Sequence, residues 1–153
     1  MPSGPRPRRH ELRIDACGVA APVSGAAARA AVRTVLAGER AGPAVISLTY
    51  LSAQRMRALN RRTFRRDRAT DVIAFGMRHD RRTVGDIYVC PSVAAAAARA
   101  HGVTLREEVT RLLVHGALHV VGHDHPAGGT RVRSAMWRRQ EAYVRRLTGG
   151  TPR

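Results

Sequence analysis

Apolar and polar residues alternate along Ala44–Leu51 (AVISLTYL), a β-branched run held between Pro43 and Ser52, and this pattern predicts a strand. Glu11–Asp15 (ELRID) alternates more briefly and predicts another. Thr70–Met77 (TDVIAFGM) and Val84–Cys90 (VGDIYVC) predict two more, an antiparallel pair joined by the turn-rich RHDRRT. Helical spacing replaces alternation in Ala26–Arg40, where Ala28, Val32, Val35 and Leu36 share a face and Gly38 and Gly42 end the run. Ser52 suits the N-cap of a short helix over Ala53–Arg62, with Met56 and Leu59 inward and many Arg outward. Ser92–Ala100 is an Ala-rich helix that Gly102 breaks. Thr104 and Glu107 form a capping box for a longer helix that runs to about Val121, with Leu105, Val109, Leu112, Leu113 and Val114 inward. Gly128 and Gly129 mark a loop, and Thr130–Thr148 predicts a last helix with Val132, Met136, Tyr143 and Leu147 inward. The expected fold class is α+β: a single domain over residues 11–148, with a small mixed sheet of about four strands packed with four to five helices. Residues 1–10 read as a flexible basic lead-in and residues 149–153 as a flexible tail. No internal repeat is visible.

A chain of 153 residues suits one domain. With aromatics at 4% of the chain, the core must rest on Val, Leu, Ile and Ala. No stretch approaches the roughly 20 apolar residues of a membrane span. The N-terminus has no apolar run of the signal-peptide kind, so a cytoplasmic protein is expected. Cys17 and Cys90 then read as free thiols, and neither has metal-pair spacing.

Charge adds the first functional hint. The 27 basic residues, every one Arg, stand against 11 acidic residues and give a net charge of +16. Part of that excess fits a coding bias toward GC-rich codons. The remainder favours a polyanionic partner, nucleic acid before membrane, and the planar Arg fork grips phosphate in a bidentate manner.

The chemistry concentrates in HGALHVVGHDH, which begins at His115. His115 and His119 are four residues apart, so a helix places both imidazoles on one face. Gly122 suits a left-handed exit from that helix, after which the chain can bring His125 back toward the pair. His123 competes for the third position, but on a continuing helix it would stand about 12 Å along the axis from His115. Three imidazoles spread that far cannot converge on one ion with bonds of about 2 Å. His115, His119 and His125 are therefore the expected metal ligands, on the long helix and the loop that follows it. Three neutral imidazoles suit Zn2+, one per chain, with a position left open for water. In zinc peptidases with HExxH the Glu after the first His is the general base; here that place holds Gly116.

These residues resemble the bacterial YbeY endoribonucleases. HGALHVVGHDH is similar to the family's HGxLHLxGYDH, with Val120 for Leu and His123 for Tyr. LNRRTFRRDRATDVIAF resembles LNxxYRxxDxxTDVLSFP, VGDIYVCP resembles LGDIxIS, and Met136 and Glu141 fit the last helix of the family. The blocks keep order and spacing over about residues 44–147, with departures at Phe64, Ala69, Ala74, Gly76 and His123. The resemblance implies a zinc-dependent endoribonuclease specific for single-stranded RNA. It implies a part in ribosomal RNA processing at the 16S 3′ end and in ribosome quality control, with the small ribosomal subunit as partner and no membrane. By position, Arg65 takes the family's functional Arg, expected to neutralise charge on the phosphoryl oxygens.

Arg61, Arg62, Arg66 and Arg68, with Arg55 and Arg57 nearby, form the expected RNA path. Asp124 suits either orienting a ligand histidine or capping the turn, and Asp86 either supports the metal ligands from behind or anchors a turn. Asp71 suits a hydrogen bond at a strand start. Two other functions fit the composition. One is a zinc-stabilised, ribosome-associated RNA-binding protein without catalysis; the other is a metallohydrolase on another substrate, against which Gly116 weighs.

Overall fold

Strand β2 (Ala44–Tyr50) buries every second residue, as a strand inside a sheet must when one face is covered by the main core. The structure, a computed structural model, describes residues 10–123 and 135–150. Around β2 are β1 (His10–Asp15), α1 (Gly25–Gly38), α2 (Ala53–Phe64), β3 (Val72–His79), β4 (Arg82–Val89), α3 (Pro91–His101), α4 (Leu105–Val120) and α5 (Ala135–Thr148). The sheet order is β1-β2-β4-β3. β1 and β4 flank β2 in parallel, and β3 closes the edge antiparallel to β4. This is the expected single-domain α+β fold, with a four-stranded mixed sheet and five helices among the described residues.

The sheet has a core on each face. On one, Ile46, Leu48, Ile87 and Val89 pack with Val32 and Leu36 of α1 and Val109 and Leu113 of α4. Each such side chain stabilises the fold by about 1.5–3 kcal/mol relative to exposure. α3 and α5 complete this layer against α4. On the other face α2 covers part of the β3–β4 hairpin, with Met56 against Ile73 and Cys90.

The helix starts follow the expected chemistry. Ser52 Oγ accepts from the Arg55 backbone N–H at 3.3 Å, and Thr104 Oγ1 accepts from that of Glu107 at 3.1 Å. Ser24 caps α1 in the same way, so that helix begins just before the expected Ala26 and ends at Gly38 rather than Arg40. The larger difference is the hairpin. Its strands continue past Met77 and start before Val84, closing in a two-residue turn at Asp80 and Arg81, both with positive φ. This is the mirror-image turn that matches strand twist; Asp tolerates its left-handed backbone, but the Gly that usually announces it is missing.

α4 lies very close to the sheet because the contact positions lack side chains. A Cβ on Gly116 would stand 2.9 Å from Ile87 Cγ2, and one on Gly85 would stand 2.4 Å from Val120 Cγ1. Asp124, His125, Gly128, Gly129, Val132 and the expected first turns of the last helix lie outside the described residues. So do residues 1–9 and 151–153 of the expected lead-in and tail. No helix among the described residues is long and apolar enough to cross a membrane.

Candidate metal centre and nucleic-acid surface

One face of α4 presents His115 and His119 with their Nε2 atoms 3.0 Å apart and their rings 73° from coplanar. Two ligands of one tetrahedral zinc, with bonds of about 2.0–2.1 Å, keep a separation of about 3.3 Å. The His115 ring is fixed from α5. Its Nδ1 lies 2.7 Å from Gln140 Oε1, and the Gln140 amide N–H donates to Glu141 Oε1 at 3.3 Å, which fixes the orientation of the amide. An amide oxygen only accepts, so Nδ1 carries the proton and Nε2 the lone pair, the tautomer a metal needs. The pair and its support therefore fit a zinc ion. Among the described residues no group of three His, Cys, Asp or Glu side chains is placed to hold one. His125, the expected third ligand, and Asp124 lie outside those residues.

His123 is engaged elsewhere. The chain leaves α4 through Gly122, whose φ of +104° is of the kind glycine permits, and His123 Nε2 meets Glu39 Oε2 at 2.8 Å. Glu39 also accepts from Tyr143 Oη at 2.7 Å and from the Arg139 guanidinium. Burial pushes the Glu39 carboxyl up, but the hydrogen bonds from Tyr143, His123 and Arg139, with the charge of Arg139, hold it below its ordinary value. The residue that departs from the resembled pattern thus has a carboxylate partner from the end of α1.

Arg65 caps the C-terminus of α2 in a left-handed conformation, with its side chain exposed and with neither histidine as a hydrogen-bond partner. Arg61, Arg62, Arg66 and Arg68 are exposed as well. Two ties hold their loop to α2. Arg57 donates to both oxygens of Asp67 at 2.8 and 2.9 Å, and buried Asn60 donates to the Arg68 carbonyl at 2.9 Å. Asp71 accepts from the Val72 backbone N–H at 2.8 Å, the expected strand-start bond. Asp86 is not brought to the histidines. Its neighbours Gly85 and Ile87 face α4, so by alternation Asp86 lies on the face that carries Tyr88.

The profile of the family described as Endoribonuclease YbeY matches residues 21–148. The chain belongs to this family. The Endoribonuclease YbeY of Chlorobaculum parvum is 31% identical over 121 residues, covering 79% of this chain and 84% of that protein. The Endoribonuclease YbeY of Aquifex aeolicus is 35% identical over 102 residues, covering 65% and 67%. The solution structure of a Thermotoga maritima protein superposes with a TM-score of 0.60 at 26% identity, covering 90% of this chain and 89% of that one.

In this YbeY chain α4 and α5 are joined behind the histidines by one guanidinium that residue spacing alone did not single out. Arg111 donates to Glu141 at 2.7 and 3.1 Å and reaches Glu107 at 3.3 Å and Glu108 at 3.5 Å. The Glu107 and Glu108 contacts follow from helical spacing, but the Glu141 contact spans helices and has no local signal. Burial pushes the Glu141 carboxyl up, yet Arg111 holds it below its ordinary value; at Glu108 burial prevails and the carboxyl is raised. Glu39 and Glu141, both lowered from 4.5, contribute stability above that value that is lost as pH falls through their folded-state values. Glu108 has the opposite sign. The urea midpoint is therefore expected to fall between about pH 5 and pH 3, and to fall less in Glu141→Gln. Equal slopes in the two proteins would remove Glu141 from the explanation. Glu107, Glu108, Arg111 and Glu141 border a cleft of about 750 Å³ that reaches His115 and Gln140.

Proposed function

We propose that this YbeY chain is a zinc-dependent endoribonuclease that cuts single-stranded RNA in the cytoplasm, in 16S rRNA 3′-end maturation and ribosome quality control. The supporting observation is the convergence of the His115 and His119 Nε2 atoms at 3.0 Å, with His115 oriented by Gln140, in a family whose named relatives are endoribonucleases. His125 is the third ligand in this reading. An ion held there would supply Lewis acidity and would activate water at neutral pH. Arg65 neutralises charge that builds on the phosphoryl oxygens, and Arg61, Arg62, Arg66 and Arg68 hold the RNA backbone. The cleft behind His115 is lined by Asp71, Glu107, Glu108 and Glu141 against Arg111 and Arg145, an acidic excess that disfavours phosphate there and favours the basic surface as the path. A peptidase of the HExxH kind is disfavoured, because position 116 lies buried against Ile87 and a side chain there would collide with it.

The test compares single-stranded with duplex RNA, before and after chelation. Cleavage is expected on the single strand alone, lost on chelation and restored by zinc. Arg65→Ala is expected to lower kcat by about a hundredfold or more with zinc content unchanged. Binding is expected to weaken steeply as salt rises. A protein that holds zinc and binds ribosomal RNA without ever cutting it would replace this reading with the non-catalytic one.

A further inference from the structure

The outer face of the β3–β4 hairpin carries an aromatic row that the metal centre does not use. Phe64, the last residue of α2, stacks on Phe75 with ring centroids 6.0 Å apart and planes 16° from parallel. Phe75 in turn meets Tyr88 edge-on at 6.4 Å. Phe64 remains 51% exposed, so one face of its ring is packed and much of the ring meets solvent. Beyond the cover of α2 the face continues through Met77 and Val84, paired across the hairpin and 66% and 41% exposed. Phe64, Met77 and Val84 are the exposed large hydrophobic side chains among the described residues, and all three belong to α2 and this hairpin. Exposed apolar surface rimmed by polar residues marks an interaction site.

The charge around the row selects what covers it. Arg61, Arg62, Arg65 and Arg66 flank Phe64 in sequence and are exposed, and Arg81 and Arg82 occupy the hairpin tip. Arg62 is close enough to Tyr88 to act on its hydroxyl, against the burial and the Asp86 charge that raise that group. Of the carboxylates here, Asp67 is held by Arg57, Asp80 at the hairpin tip lies 3.5 Å from His79, and Asp86 lies beside Tyr88. A flat apolar surface rimmed by guanidinium groups suits a chain with anionic links and flat rings.

We propose that Phe64 and Phe75 form a base-stacking platform on which single-stranded RNA lies, its phosphates held by the neighbouring Arg side chains. This rests on the RNA reading above and adds a residue that grips bases rather than backbone. Aromatic stacking accepts any base, so the platform selects unpaired strands without selecting sequence.

The test measures binding of a fluorescein-labelled 2′-O-methyl oligoadenylate to the zinc-loaded protein by anisotropy. Phe64→Leu, which keeps an apolar side chain, is expected to weaken binding about 5- to 100-fold without changing zinc content or the salt slope. Phe64→Trp is expected to restore binding, with indole emission quenched beyond the wild-type change as RNA is added. If Phe64→Leu binds as wild type while Arg66→Ala binds more weakly, the RNA reading stands and the platform is refuted. If wild type does not bind the oligonucleotide, both fail. A wild-type dimer that Phe64→Leu dissolves would assign the surface to a second copy and also refute the platform.

Discussion

His119→Ala is expected to lose its zinc and its cleavage of RNA while remaining folded. The side chain is half-buried on α4, where it meets His115. Ala is also the stronger helix former, so the helix itself gains slightly. The metal loses one of its proposed imidazole ligands and should fall from about one ion per chain to nearly none. Metal chemistry of this kind supplies several kcal/mol of transition-state stabilisation, and about 4 kcal/mol corresponds to a thousandfold. Metal analysis, circular dichroism and a cleavage assay on the same preparations decide the matter. A mutant that keeps zinc and cuts RNA would remove His119 from the site. A mutant that unfolds as it loses zinc would make the ion structural.

Gly76→Ala should be the most destabilising single-methyl change in the described fold. A Cβ there would stand 2.3 Å from the Val120 carbonyl oxygen and 2.7 Å from its Cα. Both are backbone atoms, so no rotamer relieves the overlap. Either β3 or the last turn of α4 must move, and forced overpacking of this kind costs about 1–3 kcal/mol, with the upper end expected. For a domain of this size that lowers Tm by about 6–12 °C. Val120 follows His119, so the shift also spreads the imidazole pair and zinc should be held more weakly. Calorimetry and chelator competition measure the two effects. An unchanged Tm would show that the helix can lift from the sheet at little cost.

Local patterns and local caps were legible from the sequence. The alternation in Ala44–Leu51 announced β2, and Thr104 with Glu107 placed the start of α4 to the residue. The spacing of His115 and His119 placed both on one face of α4, and there the two meet. What remained hidden depends on contacts between distant segments. Gln140 reaches His115 across 25 residues, and Glu39 reaches His123 across 84. Neither pairing leaves a mark in spacing or composition. The stack of Phe64 on Phe75 was hidden for the same reason, since α2 and β3 meet only in the folded chain. The turn lies within RHDRRT as expected, but its narrowing to Asp80 and Arg81 was hidden because the left-handed backbone there is not announced by a glycine.

The amide that orients His115 belongs to α5, which follows both histidines in the chain. During synthesis the imidazoles therefore emerge from the ribosome before the group that sets their protonation. A nascent chain displays both imidazoles without that amide, and the ordered pair arises only once the last helix docks on α4. In the zinc reading proposed above, competence is acquired at the end of translation rather than along the way, so a half-made chain does not carry an assembled nuclease among the RNA that encloses it.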